Sequence, residues 1–266
     1  MPEPVRLTSS LRYRVWGRRC LAPWYPDAPE PIGEAWFLAD HELPLLVKLI
    51  FTSDRLSVQV HPDDGEDGPR GKTEMWHILE AEPGATIALG FKEPIARERL
   101  REAARTGEIE RLLNWMPVKA GETYFTPAHT VHAIGGGIVL CEIQQNSDIT
   151  YRLWDYGRPR ELHVEKAVPI CEVGVHPGPV SPVDLGKGRE ELMRSKHFVT
   201  ELVDLPAGGS FAPDAHRCQL WICIAGDARI GSERVRAGEV WLLEDQGPQP
   251  GVRAHAPARF LRTWVP

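Results

Sequence analysis

Apolar and polar residues alternate with a period of two along most of this chain, in short runs separated by Gly and Pro breaks. That is the pattern of half-buried strands joined by tight turns. Strands are expected at Leu11–Trp16, Leu45–Phe51, Leu56–His61, Glu74–Glu80 and Ala85–Gly90, and they resume from Val118 to about Trp154. The period changes between 93 and 116. Pro94–Ala104 is rich in Arg, Glu, Leu and Ala, and Ile109, Leu112, Leu113 and Met116 recur at three and four, which predicts two short helices broken at Thr106-Gly107. The stretch from Glu172 to Arg189 is rich in Gly, Pro and Val and reads as a linker. Strand-like alternation returns at Phe198–Val203, Leu220–Ala225, Val240–Leu243 and Arg259–Val265. With 24 Gly and 24 Pro among 266 residues, many short strands are favoured over long helices. The expectation is a mainly β protein.

Two segments of the second half echo the first. Gly226-Asp-Ala-Arg-Ile resembles Gly84-Ala-Thr-Ile-Ala, and Arg236-Ala-Gly-Glu-Val-Trp-Leu-Leu resembles Lys119-Ala-Gly-Glu-Thr-Tyr-Phe-Thr. The chain therefore divides into a unit over 1–170 with a helical insert at about 93–116, a linker over 171–189, and a second unit over 190–266. Pro127 and His132 of the first unit are matched by Glu244 and Gln249 in the second. The second unit is degenerate, with no ligand set, and its expected role is structural.

Three runs carry chemistry. In Leu56-Ser-Val-Gln-Val-His61, Ser57, Gln59 and His61 share one face of a strand, which either meets water or lines a polar site. Gly71-Lys-Thr-Glu-Met-Trp76 places Lys72 and Glu74 on one side of another strand. Gly121-Glu-Thr-Tyr-Phe-Thr-Pro127 is a turn and strand ended by proline, followed by His129 and His132. Each histidine alone is as readily a hydrogen-bonded core residue as a ligand. Together Gln59, His61, Glu74 and His132 offer two imidazoles, a carboxylate and an amide oxygen. That set suits Zn²⁺ or a similar divalent ion with positions left open. His77, three positions past Glu74, points to the opposite strand face, and His129 could line a pocket without touching the ion.

The Gly-x5-Pro-x4-His run resembles the second motif of the cupins, with His129 where that family usually has Gly. The Gln-x-His…Glu arrangement resembles the first cupin motif of one branch, the type I mannose-6-phosphate isomerases. Further blocks resemble that branch in its order: Ile32-Gly-Glu-Ala-Trp36, Pro44-Leu-Leu-Val-Lys48, L-S-V-Q-V-H-P-D-D at 56–64, G-K-T-E-M-W at 71–76 and Q-Q-N-S-D-I-T-Y-R at 144–152. The resemblance implies two cupin (jelly-roll) β-barrels and one Zn²⁺ per chain held by Gln59, His61, Glu74 and His132. It also implies a sugar phosphate substrate, isomerised between mannose 6-phosphate and fructose 6-phosphate through a cis-enediol. Arg152 resembles the family's active-site arginine, set to neutralise an enediolate or to hold phosphate. Lys72 would act as a base whose pKa falls beside a dication, or as an ammonium for phosphate. Asp148, four before Arg152, would orient it or relay a proton. The family often has His before this lysine; Gly71 stands there instead.

Composition narrows the partners. A net charge of −6 gives no reason to expect nucleic acid or an anionic membrane, and no apolar run approaches a membrane span. Five cysteines without C-x-x-C spacing argue against disulfides and cysteine zinc sites and fit a reducing cytoplasm. The arginine-rich start, with Arg6, Arg12, Arg14, Arg18 and Arg19, is better explained by a strand over Leu11–Trp16 than by a transit peptide. Two other functions share the scaffold: a cupin metal-dependent dioxygenase, whose site usually has a third histidine where an amide stands here, and a non-catalytic sugar-binding bicupin. The sequence is silent on oligomeric state.

Overall fold

The computed structural model describes residues 3–245 and 247–266. The protein is mainly β. The first half holds a six-stranded antiparallel sheet in the order β2 (Thr8–Arg18), β3 (Ile32–Leu38), β4 (Leu45–Phe51), β11 (Ile138–Gln145), β6 (Glu74–Ala81), β9 (Thr123–Thr126). A five-stranded sheet accompanies it: β12 (Tyr151–Trp154), β5 (Val58–Val60), β10 (His132–Ile134), β7 (Thr86–Phe91), β8 (Leu113–Pro117).

The second half repeats this order. Its larger sheet runs β13 (Val183–Gly186), β14 (Arg189–Arg194), β15 (Val199–Leu205), β22 (Ala258–Trp264), β17 (Gln219–Ala225), β20 (Val240–Leu243), and β1 (Val5–Arg6) extends its edge. The smaller runs β16 (Ser210–Phe211), β21 (Val252–Ala254), β18 (Asp227–Ile230), β19 (Glu233–Arg236). Raising each strand number from β2 to β11 by eleven gives its counterpart. The echoed turns are alike atom by atom. Gly121 and Gly238 have φ of 91° and 86°, a region open to glycine. Glu122 Oε2 accepts from Lys119 N and the Tyr124 hydroxyl, both at 2.8 Å; Glu239 Oε2 accepts from Arg236 N at 3.1 Å and Trp241 Nε1 at 3.2 Å.

Strand β4 is buried along its whole length because both its faces are covered. Leu45, Val47, Leu49 and Phe51 pack with Leu192, Phe198, Leu202 and Leu261 of the second half, while Ile50 packs with Trp76, Ile78 and Leu140 inside the first. A strand covered twice reads as a continuous apolar run, which explains Leu45–Phe51. Lys48 shares the inward face with Ile50 and pairs with Glu142 of β11 at 2.9 Å.

The equivalent positions of the second half carry the opposite charges. Glu201 of β15 stands opposite Arg262 of β22, as Lys48 stands opposite Glu142. Trp221 lies across from Arg262 as Trp76 lies across from Glu142, which matches Gln219 to Glu74, each two residues earlier. Arg262 is 1% exposed. It donates to Gln219 Oε1 at 2.6 Å, Asp214 Oδ2 at 2.5 Å and Glu201 Oε2 at 3.3 Å, and its guanidinium stacks on Trp264 at 4.6 Å.

Several elements differ from expectation. The first predicted helix forms, α1 (Arg97–Thr106), ended by Gly107 at φ 82°. The second, α2 (Ile109–Leu112), stops early, and Leu113–Pro117 is strand β8 instead of helix, because Trp115 and Met116 pair with Ala88 and Ile87. Helix α3 (Val164–Ile170) was hidden by Pro169 within it. The run at Leu56–His61 is regular strand only over Val58–Val60. The linker is not free chain: Glu172, Val175 and Pro179 bridge to Thr130, Gly90 and Tyr124, and Val183–Gly186 is β13. The start of the chain belongs to both halves, since β1 pairs with β20 and the Trp24 indole donates to the Ile224 carbonyl at 3.2 Å. Among the described residues no helix is long and apolar enough to cross a membrane.

Removing one partner of a buried charge network strands the others without compensation. Arg262→Ala is expected to destabilise the protein by about 3–5 kcal/mol, read as a lower urea midpoint with unchanged slope; a loss under about 1 kcal/mol would mean that the network contributes no more than a surface pair.

Candidate metal centre

Two chain segments converge on the buried carboxylate of Glu74, the first residue of β6. His61 comes from the end of β5, His132 opens β10, and Gln59 of β5 stands directly opposite His132 in the sheet. Glu74 Oε1 lies 3.3 Å from His132 Nε2 and 3.6 Å from His61 Nε2. Gln59 Nε2 is 3.2 Å from His132 Nε2. The His61 and His132 rings are 4.8 Å apart, and all but Gln59, which is partly exposed, are buried.

The outer nitrogens fix the tautomers. His61 Nδ1 faces the Ile149 carbonyl and His132 Nδ1 the Thr130 carbonyl, each at 2.9 Å. A carbonyl only accepts, so each Nδ1 carries the proton and donates it, and each Nε2 presents a lone pair. Burial, with Lys72 adding to it, pushes His61 down to about 4 against the pull of Glu74. Burial likewise lowers His132 against Glu74 and the Thr130 carbonyl. Both rings are neutral near pH 7. Burial works to raise Glu74, but the Lys72 ammonium holds it well below the usual carboxylate range.

Two lone pairs and a carboxylate thus face one another in a buried site; Glu74 Oε1 has no hydrogen-bond donor, and Oε2 faces the Lys72 ammonium at 3.2 Å. Three acceptors so placed require a cation. Their reacting atoms lie within 4.8 Å of one another. Ligand bonds of about 2.0–2.1 Å to a tetrahedral ion would put neighbouring donors about 3.3 Å apart, close to the spacing found. The residues fit a divalent metal. The Gln59 amide directs its nitrogen at His132 and its oxygen at Ser57 Oγ, 3.2 Å away, so a half-turn of the amide plane would present oxygen as a ligand and keep a Ser57 contact.

Lys72 is the cation the chain itself supplies. Its Nζ is 3.0 Å from His61 Nε2 and 3.2 Å from Glu74 Oε2. Burial disfavours its charge, yet Glu74 and then Glu142 hold its pKa above the ordinary lysine value. Among the chain's own groups, the charge that faces Lys72 is the Glu74 carboxylate.

Lys72 and Gln59 border a cavity of about 550 Å³ that Arg152 and Asp148 also line. Arg152, opposite Gln59 in the sheet, donates from Nε to Ser57 Oγ at 3.3 Å and from Nη1 to the Glu161 carbonyl at 2.9 Å. Neither partner is charged, and burial followed by Arg160 lowers its pKa. Asp148 is exposed at the rim, while Arg152 donates to Ser57 and Glu161. His77 turns away to Thr123 Oγ1 at 2.9 Å. His129 meets Glu66 at 2.8 Å; its φ of 73° explains why glycine is usual there.

The cavity also holds groups that sequence reasoning missed. Lys48 donates to Glu142 Oε1 and to Gln144 Oε1, and Trp76 Nε1 donates to Glu142 Oε2 at 3.0 Å. Their signal was a single charge in each of two apolar runs, Leu45–Phe51 and Ile138–Ile143. Asp63, Asp64 and His197 form a second grouping of metal-type side chains, but Lys196 is 3.9 Å from Asp63 and Asp64 Oδ1 is taken by Gly71 N and Gln145.

Comparison with known proteins gives a consistent picture. Mannose-6-phosphate isomerase of Streptococcus mutans is 34% identical, with 65% of this chain and 69% of that protein covered. Mannose-6-phosphate isomerase ManA of Bacillus subtilis is 34% identical, over 64% of this chain and 69% of its own. The crystal structure of the Bacillus subtilis mannose 6-phosphate isomerase superposes with a TM-score of 0.87 at 25% identity, covering 99% of this chain and 100% of that one. A phosphomannose isomerase variant from Salmonella typhimurium shares the fold at a TM-score of 0.79 and 17% identity, over 99% and 100% of the two chains. No family model matches.

An ammonium seated between His61 and Glu74 competes with any cation for the same atoms. Lys72→Met is expected to tighten Zn²⁺ binding to metal-free protein by roughly tenfold, measured by chelator competition. Weaker binding would show that Lys72 supports the site and does not compete for it.

Proposed function

The chain belongs to the mannose-6-phosphate isomerase family, and from that premise we propose that it interconverts mannose 6-phosphate and fructose 6-phosphate through a cis-enediol. The observation that carries this reading is a buried His–Glu–His donor set whose neighbours Gln59 and Lys72 line the same cavity as Arg152, an arginine that donates to a hydroxyl and a carbonyl and pairs with no carboxylate among the described residues. A cavity of about 550 Å³ admits a hexose phosphate with room for water.

In this reading Gln59, His61, Glu74 and His132 hold one divalent cation, Zn²⁺. When bound it supplies a Lewis acid for negative charge developing on the sugar oxygens. The chain's own groups do the rest. Arg152 presents a guanidinium whose neutral partners leave its charge uncompensated, so it favours an anion in the cavity, and its place beside Gln59 puts that anion at the reacting end. Lys72 is the group placed to move a proton, with its Nζ bordering both the donor set and the cavity. Asp148, exposed at the rim, exchanges protons with solvent. The scaffold is read as two cupin units, 1–170 and 190–266, joined by 171–189. Support for it comes from the matched strand orders and the matched Gly121 and Gly238 turns. The second unit is structural: Gln219 stands where the first has Glu74, and Arg262 fills the neighbouring interior.

Fructose 6-phosphate isomerisation, followed beside oxygen consumption, separates an isomerase from an oxygenase or a binding protein. Turnover that needs added Zn²⁺ and consumes no oxygen is expected. His132→Ala should lose both bound metal and turnover; stoichiometric metal with normal activity would remove it as a ligand. Arg152→Ala should keep its metal while kcat falls about 100- to 1000-fold, the usual cost of losing one charge-stabilising donor. A rise in KM with kcat unchanged would move Arg152 to phosphate binding, and wild-type values for both would take it out of the mechanism.

A further inference from the structure

His61 and Glu74 are separated by the turn-rich segment 62–71, and nothing in the strand pairing of β5 fixes where that segment ends, because β5 and β6 lie in different sheets. What closes it is one buried amide. Gln145, 6% exposed at the end of β11, donates from Nε2 to Asp64 Oδ1 at 2.8 Å and accepts from Thr73 N through Oε1 at 3.0 Å. Its own N–H donates to the Thr73 carbonyl at 3.0 Å. Asp64 Oδ1 also accepts from Gly71 N at 2.8 Å, and Lys72 N donates to the Pro62 carbonyl at 3.1 Å. The two ends of the segment approach so closely that a Cβ on Gly71 would lie 2.6 Å from the Asp63 carbonyl carbon. Thr73 Oγ1 in turn accepts from Ala128 N at 3.1 Å, which attaches the turn leading to His132.

We propose that Gln145 and Asp64 are positioning residues for the metal site: together they form a clasp that sets His61 and Glu74 at chelating distance, with Thr73 carrying the constraint to His132. The inference rests on the reading of His61, Glu74 and His132 as metal ligands. It requires an amide at 145, because one end must donate to a carboxylate while the other accepts from a backbone N–H. A glutamate keeps the acceptor but faces Asp64 with like charge, and a leucine leaves Thr73 N unpaired. The clasp also accounts for glycine before Lys72, since any side chain at 71 would push the ends apart. A ten-residue connection costs little entropy to reopen, so a local tie of this kind decides the spacing of the donors it joins.

Zn²⁺ titration of metal-free protein tests this, with Co²⁺ absorption reporting coordination geometry and thermal unfolding of the metal-free form reporting the fold. Asp64→Ala, on an exposed segment, and Gln145→Leu should each weaken Zn²⁺ binding at least tenfold and change the Co²⁺ spectrum. The double variant should lose no more than the worse single one. Gln145→Leu could fail to fold; Asp64→Ala then decides alone. Wild-type affinity and spectrum in Asp64→Ala, or losses that simply add in the double variant, would overturn the clasp. Wild-type protein that binds no Zn²⁺ would instead overturn the metal reading beneath it.

Discussion

The structure of the first half depends on an unfavourable convergence: two imidazole lone pairs and a carboxylate, all buried, directed at one point. The Nδ1 protons that could have turned either ring into a donor are committed to the Ile149 and Thr130 carbonyls. Neither carbonyl can release them without itself losing a partner. The site is thereby locked into an acceptor-only state that Lys72 relieves in part, reaching His61 and Glu74 Oε2 but leaving the Oε1–His132 contact without a cation. A fold that spends buried polar groups in this way is organised for positive charge arriving from outside.

The second half shows how the same scaffold solves the problem when no outside cation is needed. Its counterpart of Glu74 is the neutral Gln219, and the cation is covalently attached: Arg262 reaches Gln219, Asp214 and Glu201 at once and is roofed by Trp264. The inverted pair, Lys48–Glu142 against Glu201–Arg262, keeps one positive and one negative group in each interior while moving the positive one across the strand pair. A guanidinium fixed by a stack and three acceptors fills its site and leaves little for a ligand to gain. A carboxylate with an orphaned Oε1 does the reverse.

Much of this was legible in the sequence because period-two alternation reports which face a side chain joins. Ser57 and Gln59 line the cavity on one side of β5, while Val58 and Val60 pack into the core behind it. The repeat was visible in the Ala-Gly-Glu turns because their glycines and glutamates have conformational and capping duties that few other residues perform. What remained hidden has physical causes. Lys48 and Glu142 sit in strands covered on both faces, where alternation vanishes and a lone charge looks like an interruption. Leu113–Pro117 carries apolar residues at helical spacing but satisfies its backbone by pairing with β7, a tertiary choice that local pattern does not record. Distances between segments, such as the approach of Gly71 to Asp63, depend on how loops close and have no periodic signature.

The two halves are not independent supports. The outward side chains of β4 and β11, Leu49 and Cys141 among them, are buried against β14, β15 and β22 of the second half. The inward side chains of the same two strands include Lys48, Glu142 and Gln144, which line or support the cavity. One strand pair therefore carries the inter-half core on one face and the polar site on the other. In a close-packed sheet a shift of the backbone on one face must appear on the other. The second half, though among its described residues no donor set like that of Glu74 occurs, bears on the site through this shared backbone. It does so again through β1, which ties the chain that continues into the cavity wall at Tyr13–Trp16 to the edge of the second half's sheet. Deleting the second half would expose the back of β4 and β11 to water, and with it the strands on which Lys48, Glu142 and Gln144 depend.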